Sequence, residues 1–343
     1  MQKILLHRAI VSALLLGGPA FAQSPKPIVH VIGTGGTIGS AGDYWGGNPT
    51  RVSIADLVRI PGIDSVATME SEQLFNVSSV SIGPARWLEL SRRVSELFRT
   101  RADIAGVIVT HGTDTMEETS YFLDLTLSDE RPVIVTGAMR PSNMAGADGP
   151  ANLVNAARVA ASPDAHGRGA MVLMDDRLYS AHDVVKTNST RVEAFQAPEH
   201  GPVAVTDADG LFFRAPSPGR KNAAFDIADV KELPRVDIVY AYAGADSVPI
   251  DAVVAAGARG IVVAGVGRGG ATASQNAALK RAVAKGIVVV MATRTGAGRT
   301  GRGGDGIIGA GELNAQKARV LLTLALASTP DVAQAKRAFI EHQ

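Results

Sequence analysis

Val107-Ile108-Val109-Thr110 runs directly into His111-Gly112-Thr113-Asp114-Thr115. A short apolar run, a polar turn and a helix start are how an α/β protein presents side chains at the carboxyl edge of its sheet. Ligands bind at that edge. The turn offers two hydroxyls and a carboxylate. Thr115 and Glu118 have the Thr-x-x-Glu spacing of a capping box, which predicts a helix from Met116 onward. Backbone N–H groups and the positive end of a helix dipole would then lie beside Thr113 and Asp114, an environment suited to an anion.

The same alternation extends along the chain. Ile28–Ile32, Val107–Val109, Val133–Val135, Ala170–Met174, Val236–Tyr240, Ile261–Ala264 and Ile287–Met291 read as strands. Most lack a period of two, as strands covered on both faces do. Amphipathic stretches such as Pro84–Phe98, Gly149–Ala161 and Ala271–Lys285 lie between them. Alternating β and α predicts an α/β protein with mainly parallel sheets. Gly201–Arg214 departs from the pattern, since apolar runs flanking Asp209-Gly210 predict a hairpin. Ala215–Asn222 is rich in Pro, Gly and charge and reads as a linker. The expected organisation is a larger domain over 24–214, a linker over 215–235 and a smaller domain over 236–343. Two glycine-rich stretches are expected to be mobile. Gly39–Thr50, with two aromatics after the first strand, is either a lid over a ligand or a surface loop. Thr295–Gly306 is the other.

The first 22 residues have the pattern of a secretory signal peptide. Lys3 and Arg8 precede an apolar run from Ile10 to Leu16, and Ala20-Phe21-Ala22 offers a cleavage site. The apolar run is too short for a membrane span, which needs about 20 residues, and no later segment supplies one. A periplasmic or secreted protein is expected. The formal charge is +1, and falls to −1 without Lys3 and Arg8, so nothing points to nucleic acid or an anionic membrane as partner. The chain has no cysteine, which excludes thiol catalysis, cysteine metal sites and disulfides. Its 343 residues are enough for a core-stabilised fold.

Gly33-Thr34-Gly35-Gly36-Thr37-Ile38 follows the first strand. It lacks the spacing of a dinucleotide fingerprint and the Gly-Lys-Ser/Thr of a P-loop. Its glycines serve either a tight turn or close backbone approach to a ligand. Thr34 and Thr37 bring hydroxyls to the same edge as Thr113. A threonine hydroxyl needs a base to become a nucleophile, and the seven histidines show no metal-binding spacing. Lys186, in Asp183-Val-Val-Lys186-Thr-Asn188, is either a solvated surface lysine or one partly desolvated near the sheet edge, which would be less basic and could accept a proton.

Together these segments resemble the bacterial type II L-asparaginases (asparaginase/glutaminases). The resemblance spans nearly the whole chain after the leader. It is carried by Thr34-Gly-Gly-Thr-Ile38, Thr110-His-Gly-Thr-Asp-Thr-Met-Glu-Glu-Thr119, Gly137-Ala-Met-Arg-Pro141, Ala147-Asp-Gly-Pro150, Lys186-Thr-Asn188 and Asn314-Ala-Gln-Lys-Ala-Arg319. It implies two α/β domains, the larger flavodoxin-like, and hydrolysis of L-asparagine to L-aspartate and ammonia without metal or organic cofactor. L-glutamine is a further candidate substrate. The resemblance implies Thr37 as nucleophile, and Thr113 with Lys186 and Asp114 as the group that activates water. Ser79 would hold the substrate's α-carboxylate and Asp114 its α-ammonium. Tyr44 is the candidate lid tyrosine. The family also implies a homotetramer, built as a dimer of dimers, in which Arg268, Gly269 and Gly270 face a neighbour's pocket.

Three departures stand out. Val80 occupies the place of a glutamine, Gly270 that of an Asn or Ser, and the acidic residue of the loop after the last strand is displaced, with Asp305 and Glu312 as candidates. A periplasmic amino-acid-binding protein is the rival of another class; it too has two α/β lobes but would release no ammonia. An RNA-binding reading of Arg299-Thr-Gly-Arg-Gly-Gly304 lacks interleaved aromatics. A tRNA-directed amidotransferase subunit is at odds with an export leader.

Overall fold

Side chains of the apolar runs are buried on both faces of a sheet, which is why they carry no alternation, except in Val236–Tyr240, a sheet edge that leaves Ile238 and Tyr240 exposed. The computed structural model describes residues 25–217, 219 and 223–343. The leader read in Met1–Ala22 lies outside the described residues, as do Pro218 and Arg220 to Asn222 of the linker.

The first domain runs β1 (Ile28–Gly35), β2 (Ser40–Asp43), β3 (Asn48–Arg51), α1 (Ile54–Leu57), β4 (Thr68–Val77), α2 (Pro84–Thr100), β5 (Ile104–Thr110), α3 (Met116–Thr126), β6 (Val133–Thr136) and α4 (Gly149–Ala160). It continues through β7 (Ala170–Met174), β8 (Arg177–Ser180), β9 (Val185–Lys186), β10 (Phe195–Gln196), β11 (Ala204–Thr206) and β12 (Leu211–Phe213). The second runs β13 (Val236–Tyr240), α5 (Val248–Ala255), β14 (Gly260–Gly265), α6 (Ala273–Ala284), β15 (Val288–Thr293), β16 (Gly303–Gly304), β17 (Ile307–Asn314), α7 (Ala315–Ser328) and α8 (Val332–His342).

The first sheet has the order β12-β11-β8-β7-β6-β5-β1-β4. Strands β4, β1, β5, β6 and β7 are parallel. The hairpin predicted around Asp209-Gly210 is present as β11–β12, antiparallel to each other and appended through β8. Strand order reverses at β1: the chain lays β4 on one side of it and β5 on the other. The carboxyl ends of β1 and β5 are therefore a topological switch point, where open α/β sheets bind ligands. The second sheet has the order β13-β14-β15-β17-β16, parallel except for β16.

The fold class is as predicted: two α/β domains with mainly parallel sheets, the first the larger. The second half of the expected linker behaves differently. Phe225, Ile227 and Leu233 are buried in a core shared by both domains, together with Trp87 and Phe122 of the first and Leu321 and Leu324 of the second. Three apolar side chains in ten residues are enough to fasten that segment down. Thr295–Gly306, expected to be mobile, is pinned. Gly298 N–H donates to Glu199 at 2.9 Å, and Gly303–Gly304 pairs with β17.

Candidate active site

Two turns at the switch point carry the hydroxyls. Thr37 opens a single 3-10 turn after β1, and Thr113 opens another after β5. Both are nearly buried, each 6% exposed. Glycine decides how close the turns come. Gly36 takes φ 86°, and a Cβ there would stand 2.4 Å from the Cα and N of Gly112. A Cβ on Gly112 would in turn meet Cβ of Ser79 at 2.8 Å. The sequence left a tight turn or approach to a ligand as the uses of this glycine run; these contacts add a third, the close approach of one turn to another.

Ser79 is buried at the turn after β4. The predicted capping box does not form. Helix α3 starts at Met116 as expected, but Thr115 makes no side-chain cap. Its hydroxyl donates to the Ser79 carbonyl at 2.8 Å, so the residue that looked like a cap ties the β4 and β5 turns together. Glu118 instead faces Arg319 of α7 at 3.5 Å, and burial pushes its carboxyl up to about 7.

Lys186 arrives from the two-residue strand β9, paired with β10. Its Nζ donates to Thr113 Oγ1 at 2.8 Å and to Asp114 Oδ1 at 2.6 Å. The lysine side chain is 13% exposed and that of Asp114 is 68% exposed. The lysine is thus mostly withdrawn from solvent at the sheet edge rather than spread on the surface. The stretch expected to be a mobile lid is a β2–β3 hairpin. Tyr44 lies in the turn at its tip, and the Thr37 hydroxyl donates to Tyr44 Oη at 2.9 Å. Trp45 stands edge-on to Tyr44, centroids 4.9 Å apart.

Thr37, Tyr44, Ser79, Thr113, Asp114 and Lys186 line one cavity of about 580 Å³. These six nominated residues converge on it, whereas Thr34, offered beside Thr37, is fully buried away from it and donates to the Thr110 carbonyl at 2.8 Å. Arg51, Met139 and Ser189 complete the cavity wall without having been singled out. Glu117 also went unnoticed: nearly buried, it accepts the Lys186 backbone N–H at 2.7 Å and the Asn314 side-chain amide at 2.8 Å. As an acid in the first turn of a helix it reads as a dipole partner, and only the partners brought by the fold reveal another use. Val80 is exposed. Asp305 pairs with Lys280 at 3.1 Å, and Glu312 binds Arg299 and His200 at 2.6 and 3.0 Å. Neither lines the Thr37 cavity of its own chain, and nor does the Arg268–Gly270 turn.

His111, next to the site in sequence, turns inward. It is fully buried between the Gly112 carbonyl and the Thr119 hydroxyl, at 2.7 and 2.9 Å. Desolvation holds its pKa down to about 4, so it is a neutral structural group near pH 7.

The fold and this cavity define a two-domain α/β enzyme that pairs hydroxyl groups with an amine at a sheet edge. Residues 28–218 match the family model described as asparaginase, N-terminal, and residues 235–339 match the glutaminase/asparaginase C-terminal domain. L-asparaginase 2 of Bacillus subtilis is 39% identical over 335 residues, covering 94% of this chain and 88% of that protein. A protein of Haemophilus influenzae named as a probable periplasmic L-asparaginase is 38% identical, covering 94% and 95%. The solved structure of a probable cytoplasmic L-asparaginase from Campylobacter jejuni superposes with a TM-score of 0.85 at 38% identity, covering 92% of this chain and 99% of that one. The chain belongs to the asparaginase family, and is a hydrolase of that kind.

Proposed function

We propose that this protein hydrolyses the side-chain amide of L-asparagine to L-aspartate and ammonia through an ester on Thr37. The observation that carries this reading is the Lys186 Nζ–Thr113 Oγ1 contact of 2.8 Å in the same cavity as the Thr37 hydroxyl. Asp114 takes the substrate's α-ammonium, and the buried Ser79 hydroxyl takes the α-carboxylate. Thr37 Oγ1 attacks the amide carbon; its proton passes along the existing hydrogen bond to Tyr44 Oη while the phenol's own proton moves on to the amide nitrogen, so that Tyr44 is neutral before and after. Backbone N–H groups of the adjoining turns hold the developing oxyanion, a contribution of about 3–4 kcal/mol per donor in measured cases. Collapse of the tetrahedral species breaks the C–N bond and releases the nitrogen, protonated, as ammonia. Water then attacks the ester; its proton moves through Thr113 Oγ1 to the Lys186 amine and is returned to Thr37 Oγ1 as the C–O bond breaks, which restores both residues.

Ammonia release from L-asparagine tests this directly. Thr37→Ala and Lys186→Ala should each lose at least about 10³-fold in kcat. Turnover that survives Thr37→Ala refutes the nucleophile. Ligand binding without ammonia from the unmutated protein would instead favour an amino-acid-binding protein.

The family name covers glutaminases, so a broader activity is the second reading. With Tyr44 already 2.9 Å from Thr37, the lid fits the shorter amide better. Glutamine should therefore have the lower kcat/KM; equal values refute this. We also propose export through the leader at Met1–Ala22, tested by the N-terminal sequence of protein recovered from cell fractions. Domain limits of 24–214 and 236–343 and a homotetrameric assembly belong to the same reading.

A further inference from the structure

Lys186 sits on a strand of two residues, too little sheet to hold a reacting group in place by itself. Thr187 N–H donates to the Ala194 carbonyl at 2.7 Å, so its edge of the ribbon faces β10. The N–H of Lys186 points to the opposite edge, as neighbours along a strand do. What meets it there is the Glu117 carboxylate, at 2.7 Å. The other oxygen of Glu117 accepts the Asn314 amide at 2.8 Å. Asn314 is the N-cap of α7, its side-chain oxygen accepting Lys317 N–H at 2.9 Å.

Lys317, in the first turn of α7, closes the arrangement. It is 1% exposed. Its Nζ donates to the carbonyl of His182 at 2.6 Å and to that of Val184. The carboxylates of Glu117, Asp183 and Asp124 offset part of the cost of burying its charge, and Tyr121 presents its ring at 6.0 Å. Backbone groups of residues 182, 184 and 186 are thus all held, directly or through Glu117, by the first turn of a helix in the other domain. Burying an ammonium is costly, and an apolar side chain of similar volume would pack at less expense. Stability alone is a poor reason to keep a lysine there.

We infer that Glu117, Asn314 and Lys317 are positioning residues through which the C-terminal domain of the same chain aims Lys186 at Thr113. This rests on the reading of Lys186 as the proton acceptor in ester hydrolysis. A misplacement of about 1 Å costs on the order of 10²-fold in rate, and these anchors hold the backbone at and just before Lys186. None of the three residues lines the cavity, so substrate binding should survive their loss.

The test uses the full chain with Lys317→Met, which keeps length and apolar volume, and Asn314→Ala, which removes the contact to Glu117. Lys186→Ala is measured in parallel. Each variant is checked for native circular dichroism and urea midpoint, and kcat and KM for L-asparagine are determined per folded site. The expected result is a fall in kcat of about tenfold or more for both, with KM within about twofold of the unmutated protein. A folded Lys317→Met with unchanged kcat, beside an inactive Lys186→Ala, overturns the inference alone. So does a loss of stability with no loss of kcat, the mark of a merely structural role. If Lys317→Met does not fold, Asn314→Ala decides by the same criteria. Turnover that persists in Lys186→Ala removes the role assigned to that lysine, and the inference with it.

Discussion

Single residues in this site are read best from what they displace. His111 stands between β5 and the Thr113 turn, and its burial makes it a brake on acid stability. Its folded pKa is about 4 against an ordinary 6.5. Between those values the unfolded chain binds more protons than the folded one, so stability falls as pH falls through that window. The full effect is about 3 kcal/mol. Glu118 acts in the opposite sense: its pKa is raised to about 7 from 4.5, so it contributes most at low pH and loses that contribution as pH rises towards 7. The two overlap, and a comparison with His111→Gln isolates the first. Urea midpoints measured from pH 7 down to 4 should fall more steeply for the unmutated protein than for the variant; parallel curves would refute the assignment. Residue chemistry alone left Lys186 as either a surface lysine or a base, but as members of motifs that resemble those of the asparaginases Thr37, Thr113, Asp114 and Lys186 were all legible in the sequence. Glu117 was not. Its partner Asn314 lies 197 residues away, and no local pattern announces a contact at that separation.

Elements that carry apolar runs were legible for the same physical reason that they fold: a strand covered on both faces must be apolar throughout. Strand β4 defeats that reading. Its sequence Thr68–Val77 is mostly polar and half-exposed, as an edge strand with charged residues should be. Nothing in it signals the partner of β1. The turns at the switch point are a clearer case of sequence specifying geometry, because Gly36 has two demands to meet: a positive φ and backbone in contact range. Gly47, in the β2–β3 turn, shares the positive φ, at 84°, but a Cβ there meets nothing within 4 Å. The pair separates the two effects. Gly47→Ala should cost about 1 kcal/mol, the left-handed penalty alone. Gly36→Ala should cost about 2–4 kcal/mol and lower kcat at least tenfold, because relieving the clash moves Thr37 away from Thr113. Equal stability losses in chemical denaturation would mean that close approach of the turns is unimportant.

At the scale of the molecule, the carboxyl end of the second sheet poses a question that the single chain leaves open. In the first sheet this end holds the Thr37 cavity. In the second it presents Tyr240 at the end of β13 and Tyr242 beyond it, Val266 after β14 and Val248 at the start of α5, between 37% and 65% exposed. Strand β13 is also a sheet edge, and Ile238 on it is 37% exposed, although its sequence reads as a fully covered strand. Clustered exposed apolar and aromatic side chains beside an unpaired edge are features that monomeric proteins avoid and interfaces use. The Arg268-Gly269-Gly270 turn lies at this same end, held by the Val266–Gly270 bridge. A second copy of the chain docked here would cover the aromatics and place that turn against a neighbour's cavity, as the proposed tetramer requires. Tyr240→Lys and Tyr242→Lys together should then shift the protein to smaller species in sedimentation velocity, and activity per chain should fall with assembly while the urea midpoint of the separated chain changes little. An unmutated protein that sediments as a fully active monomer would leave the exposed edge without its assigned partner and confine the site to residues of one chain.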